Sequence, residues 1–453
     1  MEKKDISRRD FIKDVGLGSV ALGAVAAGCA PKSSRKAGGE QTGEMEKRLN
    51  PATGDQVSLL GYGCMRWRMK RDENGRQVID QDNVNELVDY AMAHGVNYYD
   101  TSPAYLQGQS EAAAGIALSR YPRKDYYIAT KLSNFGVFSR QGTQDMYYRS
   151  FEQLKTDYFD YYLLHSIGRG GLSAFNERYV DNDIMSFLLA EREAGRIRQL
   201  GFSFHGMQPD FDTLMGLHDK YHWDFVQIEM NYMDWKHADP RQNTNAAYLY
   251  EELDKREIPI TVMEPLPGGR LARVPENVAN LMKTRNPDVS VASWAFRFVG
   301  SHPRVLTALS GMTNMSDLED NVKTFSGFKP MNEEELEFMD QLAGLIAEYP
   351  MINCNNCQYC MPCPYGVDIP GIFLHYNAIV TEGKMPISQE QKEYRKLRKN
   401  YLVSYSKAIE SLRQADHCAG CQQCIEHCPQ SIDIPTELHR IDAYVEKLKQ
   451  NTL

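Results

Sequence analysis

Between residues 57 and 325 the sequence alternates eight times between a short apolar or aromatic run and a stretch of helical periodicity. No other feature constrains the fold as strongly. The runs fall at residues 59–66, 97–101, 126–131, 158–166, 199–205, 225–231, 259–265 and 305–311. Helical stretches at 84–93, 111–119, 145–155, 184–194, 211–218, 246–256 and 289–299 separate them, and His94-Gly95 and Ala194-Gly195 are typical helix stops. Eight such units predict a (β/α)8 TIM barrel, an α/β fold. An open doubly wound sheet is the alternative, but no G-x-G-x-x-G follows the first strand. A barrel places its chemistry at the C-terminal ends of its strands.

Three consecutive strand ends are polar. The second continues as Asp100-Thr101-Ser102-Pro103-Ala104-Tyr105, the third closes at Lys131 and the fourth at His165. The Asp-to-Tyr spacing of five, with Gly108 and Glu111 downstream, resembles the aldo-keto reductase family over residues 57–325. The resemblance implies a catalytic tetrad of Asp100, Tyr105, Lys131 and His165. Reduction of a carbonyl builds negative charge on its oxygen, so a proton donor and a dry pocket are needed. In this reading Lys131 favours the phenolate of Tyr105, Asp100 holds Lys131, and His165 donates to the substrate oxygen. The same resemblance implies NAD(P)H contacts at Ser203, Gln227, Gly268, Gly269, Gly311, Thr313, Asp320 and Asn321. Within that motif Phe204 replaces an amide, Met263-Glu264 carries no ring-stacking aromatic, and Met312 and Asp317 stand where cations for a 2′-phosphate would be. Gly268-Gly269 keeps a loop of backbone amides able to cradle a pyrophosphate.

Eight of the ten cysteines crowd into the last quarter of the chain. Cys354, Cys357, Cys360 and Cys363 end in Pro364; Cys418, Cys421, Cys424 and Cys428 end in Pro429. Both runs continue alike, Val367-Asp368-Ile369-Pro370 against Ile432-Asp433-Ile434-Pro435, so the unit is duplicated. Three thiolates at this spacing wrap one cubane, and the fourth completes the other run's cluster. Two [4Fe-4S] clusters are therefore expected, one on Cys354, Cys357, Cys360 and Cys428, the other on Cys418, Cys421, Cys424 and Cys363. Zinc sites and disulfides are rival uses of these thiols. The expected second domain is a mainly α-helical two-cluster ferredoxin-like unit over residues 336–453, after a barrel over 51–335. Its charged stretch at 389–413 is expected to fold against the barrel and bring a cluster near the mouth.

Lys and Arg number 51 and Asp and Glu 60, a formal net charge of −9 that gives no field for nucleic acid. Arg8-Arg9 before Phe11 and a mildly apolar run resemble a bacterial twin-arginine signal, and Ala26-Ala27-Gly28-Cys29 resembles a lipoprotein cleavage box. Residues 1–30 then read as an address, 31–50 as a polar linker, and Cys29 as a lipid anchor providing the only membrane contact. The expected localisation is the periplasmic side after twin-arginine export, with the cytoplasm as the alternative. The leading functional reading is an iron–sulfur oxidoreductase that interconverts a small carbonyl and its alcohol, fed by a redox partner protein or a quinone-linked donor. An electron-transfer or scaffolding subunit and a cytoplasmic NAD(P)H-dependent carbonyl reductase are the alternatives.

Overall fold

A computed structural model of the chain describes residues 43–453; Arg8, Arg9 and Cys29 lie outside the described residues. Eight parallel strands close a barrel in chain order: β1 (Leu60–Gly63), β2 (Tyr98–Asp100), β3 (Tyr127–Leu132), β4 (Phe159–Gly168), β5 (Ile197–His205), β6 (Phe225–Glu229), β7 (Ile260–Met263) and β8 (Val305–Ser310). The ring closes where Ala308 and Ser310 of β8 pair with Leu60 and Tyr62 of β1. Parallel strands covered by helices are buried on both faces, which explains their continuous apolar runs. β1 ends three residues, and β6 and β7 two residues, before the expected ends.

Two antiparallel pairs of three-residue strands were not legible: Lys47–Leu49 with Gln56–Ser58, and Met69–Arg71 with Gln77–Ile79. The first corrects the linker. Met45 bridges Ser326, and the Leu59 amide donates to the Glu46 carbonyl at 2.8 Å, so the chain joins the barrel before residue 50. The far boundary also moves. Helix Glu333–Ala347 begins with a capping box, Asn332 accepting from the Glu335 amide at 2.9 Å, and buries Phe338, Leu342 and Ile346 in the barrel's core.

The cysteine region has its own core, built from Ile372, Phe373, Tyr405, Ile441 and Val445 on three helices. The duplicated Asp-Ile-Pro is a helix start in both copies. Asp368 caps Ile369–Thr381 by accepting from the Gly371 amide (3.2 Å), and Asp433 caps Ile434–Gln450 by accepting from the Thr436 amide (3.3 Å), each with Pro in the first turn. Helix Tyr394–Ala408, inside the charged stretch, packs on those two helices through Tyr401 and Tyr405. It is the first cysteine run that meets the barrel mouth. Among the described residues no helix is long and apolar enough to cross a membrane.

Candidate active site and cluster hollows

Asp100 ends β2, Lys131 is next to last in β3, and Tyr105 opens the turn Tyr105–Gly108. His165 sits where the ladder between β4 and β5 slips between Leu164 and Ile167, with Ser166 at φ 51°. Such a bulge re-aims a side chain, here toward the barrel axis. The four come together as expected, none more than 8% exposed. Lys131 Nζ donates to Asp100 Oδ1 and to the Thr101 carbonyl (3.0 Å), and lies 5.0 Å from the centre of the Tyr105 ring. The Tyr105 and His165 rings meet edge to face, with centroids 5.8 Å apart. His165 Nδ1 is held by the hydroxyls of Ser133 (2.5 Å) and Ser102 (3.3 Å). Each serine lies two residues beyond a tetrad member, at Asp100 and Lys131, an offset that could have flagged them.

Burial lowers Lys131 and raises Asp100, each opposed by the other's charge. Burial, and then the charge of Asp100, hold the Tyr105 hydroxyl well above the ordinary phenol value. Burial likewise drives His165 well below the ordinary imidazole value, so it is uncharged near neutrality.

The residues assigned to a dinucleotide are engaged within the chain. Ser203 Oγ accepts from the Ser166 amide (2.7 Å) and Gln227 donates to Asp100 Oδ2 (3.2 Å), while Phe204 is buried against Phe211. Gly268 and Gly269 take positive φ of 61° and 86°. The Gly268 amide, however, donates to Glu264 Oε2 at 2.7 Å, and a Cβ on Gly268 would lie 2.6 Å from Asn355 Cα. A Cβ on Gly311 would lie 2.5 Å from Arg66 Cγ, and Thr313 donates to the Arg66 carbonyl (2.6 Å). Asp320 accepts from Ser290 (2.5 Å), and Asn321 donates to Ser310 (3.0 Å).

The cysteines sort across the two runs. Cys354, Cys357, Cys360 and Cys428 line one hollow, with Ile369, Phe373 and Ile434 around them. Cys363, Cys418, Cys421 and Cys424 line a second, which Cys360 also borders. The nine described cysteines are free thiols, and no group of three or more His, Cys, Asp or Glu among the described residues converges as one metal ion would require. Four thiols around a hollow fit a cubane, in which each thiolate holds its own iron. The remaining described cysteine, Cys64, is buried, with its Sγ 3.7 Å from the Tyr62 carbonyl.

The first run lies on the mouth. Arg66 donates to the carbonyls of Asn356 (2.7 Å) and Asn355; Asn355 donates to Glu264 Oε1 (3.0 Å); Arg270 donates to Asn353 Oδ1 (3.2 Å). The second run adds Gln430 to Glu229 (2.6 Å), and Arg169 donates to the Cys428 carbonyl. Tyr359, between two cysteines of the first run, stands with its ring centroid 6.4 Å from that of His165 and 6.2 Å from Phe135. Sequence reasoning missed these docking residues. Glu264 beside the glycine loop was the one available signal, an acid where an anion was expected to bind.

Residues 59–343 match the model of the aldo/keto reductase family, and residues 353–433 that of the 4Fe-4S dicluster domain. The chain belongs to the aldo/keto reductase family, as an oxidoreductase that carries a dicluster domain. It is 23% identical over 323 residues to the uncharacterized oxidoreductase YqkF of Bacillus subtilis, covering 65% of this chain and 95% of that one. A 92-residue match at 38% identity to the D-arabinose 1-dehydrogenase of Saccharomyces cerevisiae covers 18% of this chain and only 27% of the yeast enzyme. The fold is shared with an aldo-keto reductase from Klebsiella pneumoniae solved in complex with NADPH, with a TM-score of 0.52, 19% identity, and coverage of 66% and 95%.

Proposed function

We propose that the protein interconverts a small carbonyl compound and its alcohol at Asp100, Tyr105, Lys131 and His165, exchanging electrons through the dicluster domain. The observation that carries this reading is the docking of residues 353–360 over the strand ends, with Tyr359 against His165. Cys354, Cys357, Cys360 and Cys428 would hold one [4Fe-4S] cluster and Cys418, Cys421, Cys424 and Cys363 the other, supplying electrons one at a time. The reduction takes two electrons and two protons: Tyr105 gives one proton to the substrate oxygen, the second comes from solvent water to form the C–H bond at the carbonyl carbon, and Lys131 and Asp100 stay paired beside the site. Ser102 and Ser133 fix the angle of the neutral His165 ring beside that oxygen. Cys421 is exposed, so the second hollow is the side at which a redox partner docks.

A second reading, nicotinamide-dependent reduction, is favoured by the NADPH complex of the Klebsiella relative and by Ser203 and Gln227 at their motif positions. The compartment belongs to the same proposal: Arg8-Arg9 directs export, and replacing both with Lys should leave the protein in the cytoplasm. The catalytic reading is tested by reducing the anaerobic holoprotein with dithionite, adding a panel of aldehydes and ketones, and following reoxidation together with alcohol formation. Alcohol formation that survives unchanged in Tyr105→Phe would remove Tyr105 from the chemistry.

A further inference from the structure

We infer that residues 353–359 stand in the barrel's dinucleotide groove, so that the holoprotein binds no nicotinamide dinucleotide, and that Arg66 and Glu264 are positioning residues for the cluster ligated there. The inference deepens the proposed function and relies on it only for the presence of a cluster on the first run.

Three places would have to receive a dinucleotide, and two of them are taken. A pyrophosphate needs free amides and no nearby anion. The Gly268 amide is bonded to Glu264 (2.7 Å), the same carboxylate receives Asn355 (3.0 Å), and the backbone of Asn355 fills the open face of Gly268. Two phosphates arriving there would have to displace Asn355 and then face a carboxylate. At the carboxamide end, Ser203 accepts from the Ser166 amide and Gln227 donates to Asp100, contacts within the chain that do not themselves fill the place. At the adenosine end the stem of Arg66 crosses Gly311, and its guanidinium holds two carbonyls of the cysteine run. Clearing the pyrophosphate or adenosine place therefore breaks contacts that dock the run. A cation donating to the carbonyls of Asn355 and Asn356, between Cys354 and Cys357, also stabilises the more negative, reduced state of a cluster on those thiolates.

The test uses anaerobically purified full-length holoprotein. Calorimetric and fluorescence titrations with NADH and NADPH to about 1 mM, the top of the ordinary substrate range, should show no saturable binding; saturable binding of either overturns the exclusion. Arg66→Gln should lower the midpoint potential and alter the electron paramagnetic resonance signal of one cluster while leaving the other unchanged. Glu264→Gln, which keeps the shape of the side chain, should alter the signal of the same cluster. Both variants leaving both signals as in the parent would overturn the positioning role. Absence of turnover with every carbonyl would end the catalytic reading without touching these results, whereas dinucleotide binding would overturn the exclusion and leave the role of Tyr105 standing.

Discussion

Tyr105 and Glu111 show how burial sets chemistry at single positions. A buried phenol held above its ordinary value keeps its proton at neutral pH, and loss of a general acid costs about 10²- to 10⁴-fold in rate. Tyr105→Phe should therefore lower alcohol formation by at least about 100-fold with iron content and thermal stability unchanged; equal turnover would refute the assignment. Glu111 accepts a hydrogen bond from Thr130 Oγ1, and burial raises its carboxyl to about 7. A raised carboxyl stabilises the fold fully below its unfolded value, 4.5, and that contribution is lost as pH rises through about 7. Glu111→Gln should therefore gain on the parent across this window by at most about 3 kcal/mol, read from denaturant melts at several pH values. A constant difference between the two proteins would contradict the buried, protonated carboxyl. That Asp100, Tyr105, Lys131 and His165 would meet was legible because each stands at or just beyond the end of a countable strand. The depth at which Tyr105 is buried was not, because burial depends on what the tertiary structure packs around the ring.

At the scale of elements, the duplicated Asp-Ile-Pro starts two helices, and each cysteine run stands before one of them. The first hollow draws three cysteines from the first run and Cys428 from the second; the other draws three from the second run and Cys363 from the first, with Cys360 at its border. Cys428→Ser should consequently abolish the cluster of the first run and spare that of the second, while Cys363→Ser should do the reverse. Iron and sulfide analysis should find about four of each retained per chain in either variant, with resonance spectra showing which signal is lost. Loss of the second-run signal in Cys428→Ser would mean that each run ligates its own cluster. The eight strands could be counted because apolar runs repeat between helical periods. The three-residue hairpin strands could not, since so short a run carries no periodicity. The bulge that aims His165 was equally hidden, because a register slip belongs to the pairing of two strands.

For the whole molecule, the first run both docks on the mouth and carries three of the thiols around the first hollow, so one segment joins the two domains. Metal binding and folding are linked when thiolates from separate segments share one site. Removing iron with a chelator under oxidation should expose residues 353–360 to protease and leave the holoprotein resistant there, as mapped by mass spectrometry of the fragments; identical fragments from both forms would show that docking is independent of the clusters. The barrel, its polar strand ends and the paired cysteine runs were determined by the sequence alone, because periodicity and ligand spacing are properties of short segments. What covers the mouth was decided only in the tertiary structure. Arg66, Glu264 and Asn355 are far apart in the chain, and only barrel closure and docking of the dicluster domain bring a guanidinium, a carboxylate and a backbone turn onto the glycine loop where a dinucleotide was expected.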